Sequence, residues 1–252
     1  MKIRAFFLAA ILLPISYVHA STDLAATQKS AEQGDAKAQA NLGLMYEGGL
    51  GVPQDDKQAV VWYRKAAEQG DAAGQWLLGA MYAKGQGVAQ NHQQAASWYR
   101  KAAEQGDATA QRLLGFLYEE GQGVAQDYSQ AVTWYRKAAE QGDTSAQSRL
   151  GFLYVEGQGV AQDYSQAVTW YRKAAEQGDA TAQLLLGLLY ADGKGVAQNY
   201  SHAYSWLSVA AALGNEKAFK KRDLVAAKLS STQLVAAQKQ AAAYFEKYQP
   251  RN

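Results

Sequence analysis

The chain repeats itself every 36 residues, and this period constrains the possible folds more than any other feature of the sequence. Residues 121–143 and 157–179 are identical over their whole length. Three marker residues recur at this spacing: Gly34, Gly70, Gly106, Gly142, Gly178 and Gly214; Trp62, Trp98, Trp134, Trp170 and Trp206; Tyr46, Tyr82, Tyr118, Tyr154 and Tyr190. A period between about 20 and 50 residues is typical of solenoids and related arrays. The sequence therefore predicts a repeat protein.

Each unit carries the pattern of two helices. In the first unit, Ala38, Leu42, Met45 and Tyr46 have helical spacing and Asp35 precedes them as an N-cap, which predicts helix A. The segment 49–55 contains two glycines and a proline, so it ends helix A. From 56 to 69 an apolar stripe predicts an amphipathic helix B, formed by Ala59, Trp62, Tyr63, Ala66 and Ala67. Gly70 and Asp71 then restart the pattern.

Small residues alternate with large ones along this pattern. We expect Gly43 and Ala38 on helix A to leave room for the rings of Trp62 and Tyr46. Since one helix pair cannot bury its apolar face alone, neighbouring units must stack, which predicts an all-α solenoid of two-helix repeats. If the tryptophans are core residues, replacing Trp134 with alanine costs about 3–5 kcal/mol.

The first twenty residues are typical of a secretory signal peptide. Lys2 and Arg4 precede an apolar run at 5–14, and small residues up to Ala20 provide a cleavage site. We expect cleavage after Ala20, a lead-in segment at 21–30, and a mature protein in the periplasm or outside the cell. Because no later apolar stretch is longer, we expect no membrane span.

Composition argues against several classes of function. There is no cysteine, which excludes disulfides and thiol catalysis. Without the first twenty residues the chain has 23 basic and 23 acidic residues, and pairs such as Arg64 and Lys65 alternate with acids, so we expect no nucleic-acid partner. His92 and His202 are the histidines left, whereas a zinc site needs at least three ligands, so we expect no metal or cofactor. We predict that the protein is not an enzyme.

The unit resembles a known repeat. Its elements are Ala-x-x-x-Leu-Gly-x-x-Tyr, then Gly-x-Gly-Val-x-Gln-Asp, then Ala-x-x-Trp-Tyr-Arg-Lys-Ala-Ala-Glu-Gln-Gly-Asp. This pattern resembles the Sel-one-like repeat, a relative of the tetratricopeptide repeat, and covers residues 31–210 as five units. The resemblance implies an α/α superhelix with helix A on the concave side and helix B on the convex side. It also implies a role as an adaptor.

One alternative follows from the same resemblance. Some cysteine-rich members of the family are described as β-lactamases, which leaves an envelope hydrolase as a second hypothesis. This chain lacks their cysteines.

The segment 211–252 departs from the unit and is predicted to be a partial repeat with a capping helix. Lys220, Lys221 and Arg222 occupy the stretch in which Leu42 and Gly43 have their counterparts. Ser230 and Gln233 have the spacing of a capping box, which predicts a last helix ending near Tyr248 and folding over the final repeat.

Residues that are the same in every unit are explained by packing, so functional residues are expected at the positions of helix A that vary between units. Three such columns share one face: Lys37, Ala73, Thr109, Ser145 and Thr181; Ala40, Trp76, Arg112, Ser148 and Leu184; Leu44, Ala80, Phe116, Phe152 and Leu188. By resemblance this face is concave. Aromatic residues and arginine are common at protein-binding hot spots.

We therefore predict that a monomer binds another protein through one set of side chains: Leu44, Trp76, Arg112, Phe116, Phe152, Leu184 and Leu188. The competing interpretation is that the aromatic residues only fill gaps between adjacent helices. Glu119, Glu120 and Glu156 are expected at the rim, either selecting a basic partner or simply solvated.

Overall fold

The computed structural model describes residues 24–249, and this part of the chain consists of helices without a strand. The helices are α1 (Leu24–Glu32), α2 (Ala36–Gly48), α3 (Asp56–Glu68), α4 (Ala72–Lys84), α5 (His92–Glu104), α6 (Ala108–Glu120), α7 (Tyr128–Glu140), α8 (Thr144–Glu156), α9 (Tyr164–Glu176), α10 (Ala180–Asp192), α11 (Tyr200–Ala212), α12 (Glu216–Ala226) and α13 (Ser231–Tyr248). Consecutive helices pack against each other up to α12. The predicted all-α solenoid of A and B helices is confirmed. The predicted signal peptide lies outside the described residues.

Helix boundaries follow from the capping residues that the sequence predicted. Asp35 begins α2, where its Oδ1 accepts a hydrogen bond from the Ala38 backbone N–H at 2.7 Å. Gly49 ends α2 with a φ of 64°, a left-handed conformation that costs glycine little. Asp55 then begins α3 in the same manner as Asp35 begins α2. The lead-in segment adds a helix that the repeat pattern did not predict, α1, which packs against α2.

The contact between helix A and helix B of one unit depends on a glycine and a tyrosine. A Cβ atom on Gly43 would lie 2.5 Å from the ring of Tyr63, so the two helices can approach only because this position has no side chain. The same contact joins Gly79 to Tyr99, Gly115 to Tyr135, and Gly151 to Tyr171. These tyrosines are buried, whereas Trp62 is half-buried. The expectation that Gly43 makes room for Trp62 and Tyr46 is therefore wrong, because the tyrosine of helix B fills that space.

Buried glutamines join one unit to the next. In unit 2, the Gln75 side-chain amide donates to the Ala67 carbonyl at the end of the preceding helix B, at 3.3 Å. Its Oε1 accepts from the Gln105 side-chain amide at 2.7 Å, so Gln75 contacts the ends of two successive B helices. The pattern recurs at Gln39, Gln111 and Gln147. Each glutamine thus satisfies backbone and side-chain groups that would otherwise be buried without partners.

The C-terminal cap consists of α12 and α13. α12 packs on α11 in the register of a sixth helix A, but Asp223 stands at the glycine position and pairs with Arg222 at 2.8 Å. α13 also packs on α11. Its side chains Tyr244 and Tyr248 contact the Trp206 ring at centroid distances of 4.7 and 5.4 Å. The capping box of Ser230 and Gln233 and the helix end at Tyr248 are as predicted.

Candidate functional site on the A helices

The candidate site is the face of the A helices that carries the three variable columns, here called the A face. Its columns begin at Lys37, Ala40 and Leu44, and residues three or four apart lie on the same side of a helix. Each unit contributes one helix to this face: α2, α4, α6, α8 and α10. The A face is therefore built from helices whose other side packs on the B helices.

Two of the predicted partner-binding residues belong to the core. Trp76 is 9% exposed and packs in the cluster of units 1 to 3, and Leu184 is 8% exposed and packs against α11 and α12. Both side chains fill the spaces between neighbouring helices, as the competing interpretation proposed. The prediction that they are open to a partner is wrong, and they form the floor beneath the A face.

The other apolar residues of the set are accessible to different degrees. Phe116 is 37% exposed and belongs to none of the core clusters. Phe152 is half-buried and packs between the cluster around α7–α9 and the cluster around α9–α11. Leu44 and Leu188 are half-buried. Phe116 is thus the most exposed apolar side chain of the predicted set.

Arg112 lies on the A face and is held in place by an ion pair. Its Nε donates to Oδ2 of Asp143 at 3.1 Å, and both side chains are partly exposed. Asp143 is also the N-cap of α8, since its Oδ1 accepts from the Ala146 N–H at 2.8 Å. This contact fixes the guanidinium between α6 and α8 and leaves its remaining N–H groups available to an acceptor.

The expectation that Glu119 lies at the solvated rim of the A face is wrong, because its side chain is buried. It is 5% exposed, its Oε2 accepts from the Tyr135 hydroxyl at 2.7 Å, and its Oε1 accepts from Nη2 of Arg149 at 2.6 Å. Burial and the nearby Glu119 carboxylate raise the pKa of Tyr135 well above its ordinary value, so the phenol stays a donor. Glu120 and Glu156 are exposed, as expected.

Sequence reasoning missed Arg149, which stacks at 5.5 Å over the Phe152 ring while it binds Glu119. Its column has Asn41, Leu77, Leu113 and Leu185 in the other units, so an arginine there is an anomaly visible in the sequence. A search for single departures within each column would have identified it. Arg149 on α8 therefore links Phe152 of its own helix to Glu119 on α6.

Three features of residues 24–249 bear on other kinds of site: groups of metal ligands, histidines with shifted pKa values, and long apolar helices. This region contains no group of three or more His, Asp or Glu residues placed to hold a metal ion. His202 stacks on Tyr190 at 5.2 Å, and burial lowers the pKa of its imidazole. None of the helices in the same region has the length and apolar character needed to cross a membrane.

Comparison with known proteins agrees with this architecture. The model of the Sel1 repeat matches five successive segments, 36–71, 72–107, 108–143, 144–179 and 180–215. The chain is 44% identical to a protective antigen of uropathogenic Escherichia coli strains that displays an SLR fold, with a TM-score of 0.82. That alignment covers 89% of this chain and 48% of the antigen, so the chain spans about half of that protein's length.

The alignment with a second solved structure covers nearly the whole of that protein. The Sel1 repeat protein of Oxalobacter formigenes is 35% identical, with a TM-score of 0.73, and the alignment covers 86% of this chain and 97% of that protein. None of the curated proteins matches the chain. Because the repeat model covers most of the sequence in an unbroken series, the chain belongs to the Sel1 repeat family.

Proposed function

We propose that this protein is an exported, monomeric scaffold that binds a segment of another protein along the A face. Sel1 repeat proteins are generally scaffolds for protein–protein interaction. Within the A face, we assign partner contact to Leu44, Arg112, Phe116, Phe152 and Leu188, and a supporting role to Trp76 and Leu184. We propose neither a cofactor nor a nucleic-acid partner.

The observation that carries this proposal is the exposure of Phe116 beside a fixed arginine. Phe116 packs in none of the core clusters and leaves 37% of its surface exposed, so part of its ring is accessible to a partner. Arg112 lies one turn before it on α6 and is already oriented by Asp143. An exposed ring next to an ordered guanidinium loses little conformational entropy on binding, which favours a hot spot for a polypeptide.

Export follows from the sequence of residues 1–20 and forms part of the proposal. A tagged full-length chain expressed in a Gram-negative host should appear in the periplasm or medium with Ser21 as its first residue. Amino-terminal sequencing of the fractionated protein tests this. Recovery of uncleaved protein from the cytoplasm alone would contradict export.

Partner binding is tested by capture from envelope extract with the mature protein and three variants. Phe116→Ala, and Phe116→Ala combined with Phe152→Ala, should lose the captured partner, with affinity falling at least about tenfold for a hot spot. The matched control is Val61→Ala with Val235→Ala, which removes exposed apolar groups from α3 and α13. Circular dichroism should show unchanged helicity in all of them.

Two outcomes would contradict the scaffold. One is capture that is unaffected by the phenylalanine substitutions, and the other is capture that the control weakens equally. Turnover of nitrocefin by the purified protein would instead support the hydrolase hypothesis.

A further inference from the structure

The A face changes its charge at α12. Helices α6, α8 and α10 end in acidic residues at one position of the unit: Glu120, Glu156 and Asp192. The same position is Lys84 in the second unit and, in the sixth, Lys228 in the turn that follows α12. Three more lysines replace polar or apolar residues of the preceding helix, since Lys217 stands in the column of Thr181, Lys220 in that of Leu184, and Lys221 in that of Leu185.

The four lysines form what we call the lysine end of the A face: Lys217, Lys220, Lys221 and Lys228. α12 keeps the register of a helix A, because Asn215 caps it, Ala218 is buried, and the helix packs on α10 and α11. The positions of Lys217, Lys220 and Lys221 on the A face therefore follow from the same register that places Phe116 and Phe152, and Lys228 follows in the turn after α12. The columns continue from the apolar centre into the lysine end without a change of helix orientation.

These ammonium groups lack partners within the described part of the molecule. All four lysines are exposed, and none makes an ion pair with a carboxylate of residues 24–249. The neighbouring Arg222 is not available in the same way, because it pairs with Asp223 at 2.8 Å and stacks on Phe219 at 4.3 Å. Like charges three or four residues apart on a helix repel each other, and the two acidic residues of α12, Glu216 and Asp223, offset only part of this positive charge. An anionic ligand would relieve that repulsion.

An apolar group lies among the lysines. Leu224 is 65% exposed and continues the column of Phe116, Phe152 and Leu188. A ligand for this end therefore meets charge and an apolar side chain together. Acidic side chains on a polypeptide that also carries apolar residues have this chemistry, whereas a bare phosphate does not.

The acidic residues on the other A helices argue against a uniform polyanion. A nucleic acid or an anionic bilayer that extended from the lysine end toward α6 would meet Asp192, Glu156 and Glu120. A protein segment can place acids at one end only. Charge complementarity thus favours a polypeptide with an uneven charge distribution.

We propose that the lysine end binds the acidic end of a polypeptide whose apolar part lies over Phe116 and Phe152; this inference rests on the proposed function of the A face. Its apolar part lies over α6 and α8, and from Phe152 on α8 the polypeptide crosses two helix-to-helix steps to reach the lysine end on α12. Packed helices lie about 8–10 Å apart, so the acidic and apolar groups are separated by roughly 16–20 Å. An extended chain covers that distance with about five or six residues.

The test uses the full mature protein and pools of fluorescent peptides about fourteen residues long. One pool has apolar residues at one end and four Asp or Glu residues at the other, with a random spacer of about six residues. A second pool replaces the acids with Asn or Gln. Single-stranded oligothymidylate and vesicles containing phosphatidylglycerol are the probes for the two other classes of polyanion.

Two variants with the same change of charge separate local from general electrostatics. The first replaces Lys217, Lys220, Lys221 and Lys228 with glutamine. The control replaces Lys29, Lys57, Lys137 and Lys239 with glutamine; all four are exposed on helices outside the A face, and of these four only Lys137 lies over a ring of residues 24–249. Since the lysines of the first variant are exposed and make no ion pair with residues 24–249, that protein should fold as the wild type does. Phe116→Ala completes the set.

The expected result is that the acidic pool binds the wild type about tenfold more tightly than the amide pool and that added salt reduces this preference. The lysine-end variant should lose the preference and the control should keep it. If the wild type bound both pools equally and Phe116→Ala lost this binding, the inference about the lysine end would be overturned. The proposed function of the A face would remain. Binding that depends on the lysines but not on Phe116 would contradict the proposed function. Binding of neither pool, or of only the oligonucleotide or the vesicles, would also overturn the inference.

Discussion

The repeats and the cap begin in the same way and end differently. α8 and α12 both follow a side-chain N-cap, Asp143 or Asn215, and both bury the alanine three residues after it. They diverge eight residues after the N-cap, where α8 has Gly151 and α12 has Asp223. Gly151 lets the ring of Tyr171 approach, whereas Asp223 carries a side chain at the same position and α13 packs on α11. We expect a glycine at this position to be required for a helix A to pack on its own helix B.

The largest expected effect comes from placing the cap residue inside a repeat. In Gly151→Asp, the new Cβ would lie 2.8 Å from the Tyr171 ring, and the carboxylate would be buried against it. Overpacking costs about 1–3 kcal/mol and burying an unpaired charge adds several more, so we expect a loss of about 5 kcal/mol. Urea unfolding followed by circular dichroism measures the total, and hydrogen exchange should locate the loss in α8 and α9.

The reverse substitution is the control for this comparison. Asp223→Gly removes an exposed carboxylate that pairs with Arg222, and we expect a change of less than about 1 kcal/mol. If Gly151→Asp were tolerated as well as Asp223→Gly, the glycine would not be what allows helix B to pack.

The second prediction compares two tryptophans in equivalent positions. Trp206 is buried under α13 by Tyr244 and Tyr248, whereas Trp134 is half-buried on α7. Trp206→Ala should cost about 3–5 kcal/mol and release α13, while Trp134→Ala should cost about 2 kcal/mol because less of its surface is buried. This is less than the sequence alone suggested for Trp134. Hydrogen exchange of residues 231–248 reports the release.

Two observations together would contradict the prediction for Trp206. If both variants lost equal stability and residues 231–248 remained protected in Trp206→Ala, the ring contacts would not be what holds the cap on the last repeat.

A smaller effect is expected at Gln183, the last in the series of buried glutamines that join successive units. Gln183 is fully buried and its side-chain amide donates to the Ala175 carbonyl at 3.1 Å, but its Oε1 has no hydrogen-bond partner among the described residues. The reason is that Leu213 stands where the preceding units have a glutamine such as Gln177, which donates to Gln147 at 2.8 Å. Leu213→Gln restores the missing donor and should stabilise the protein by about 1–2 kcal/mol.

Gln177→Leu is the opposite change. It removes the amide that donates to Oε1 of Gln147, so this oxygen loses its partner and resembles Oε1 of Gln183. It should destabilise by about the same 1–2 kcal/mol. Thermal melts of both variants beside the wild type measure the pair. A Leu213→Gln protein that melts no higher than the wild type would show that the buried oxygen is already satisfied.

The repeat period was sufficient to predict the fold because every unit presents the same caps, glycines and apolar stripe. The period could not predict which ring fills the space above Gly43. Trp62 and Tyr63 are adjacent in sequence, and only the rotation of α3 against α2 places Tyr63 over the glycine. That rotation depends on the packing of both helices, which a helical periodicity defines to no better than about one residue.

The candidate site was predicted less completely than the fold. The columns of the A face contain both buried and exposed residues: Trp76 and Leu184 are buried while Phe116 is exposed, because burial depends on the neighbouring unit's side chain. Glu119 was predicted to be solvated, and its partners Tyr135 and Arg149 are 16 and 30 residues away in sequence. Contacts at such separations follow only when the stacking of units is known.

The smallest effect concerns a lysine that the repeats have and the cap lacks. Lys137 lies 4.2 Å from the centre of the Trp134 ring, and the same pair occurs at Lys65, Lys101 and Lys173. Val209 occupies the corresponding position of α11, the helix before the cap. There the Trp206 ring is covered by α13 and not by a lysine. Exposed cation–π contacts contribute about 0.5–1 kcal/mol, so Lys137→Gln should destabilise by about 0.5 kcal/mol.

Lys57→Gln is the control, since Lys57 is exposed on α3 and its ammonium lies over none of the rings of residues 24–249. The difference between the two melting temperatures isolates the ring contact from the loss of one positive charge. Equal melting temperatures would mean that the lysine only shields the indole from water. In that case the repeats and the cap would protect their tryptophans by the same means, coverage by neighbouring side chains, and would differ only in the area covered.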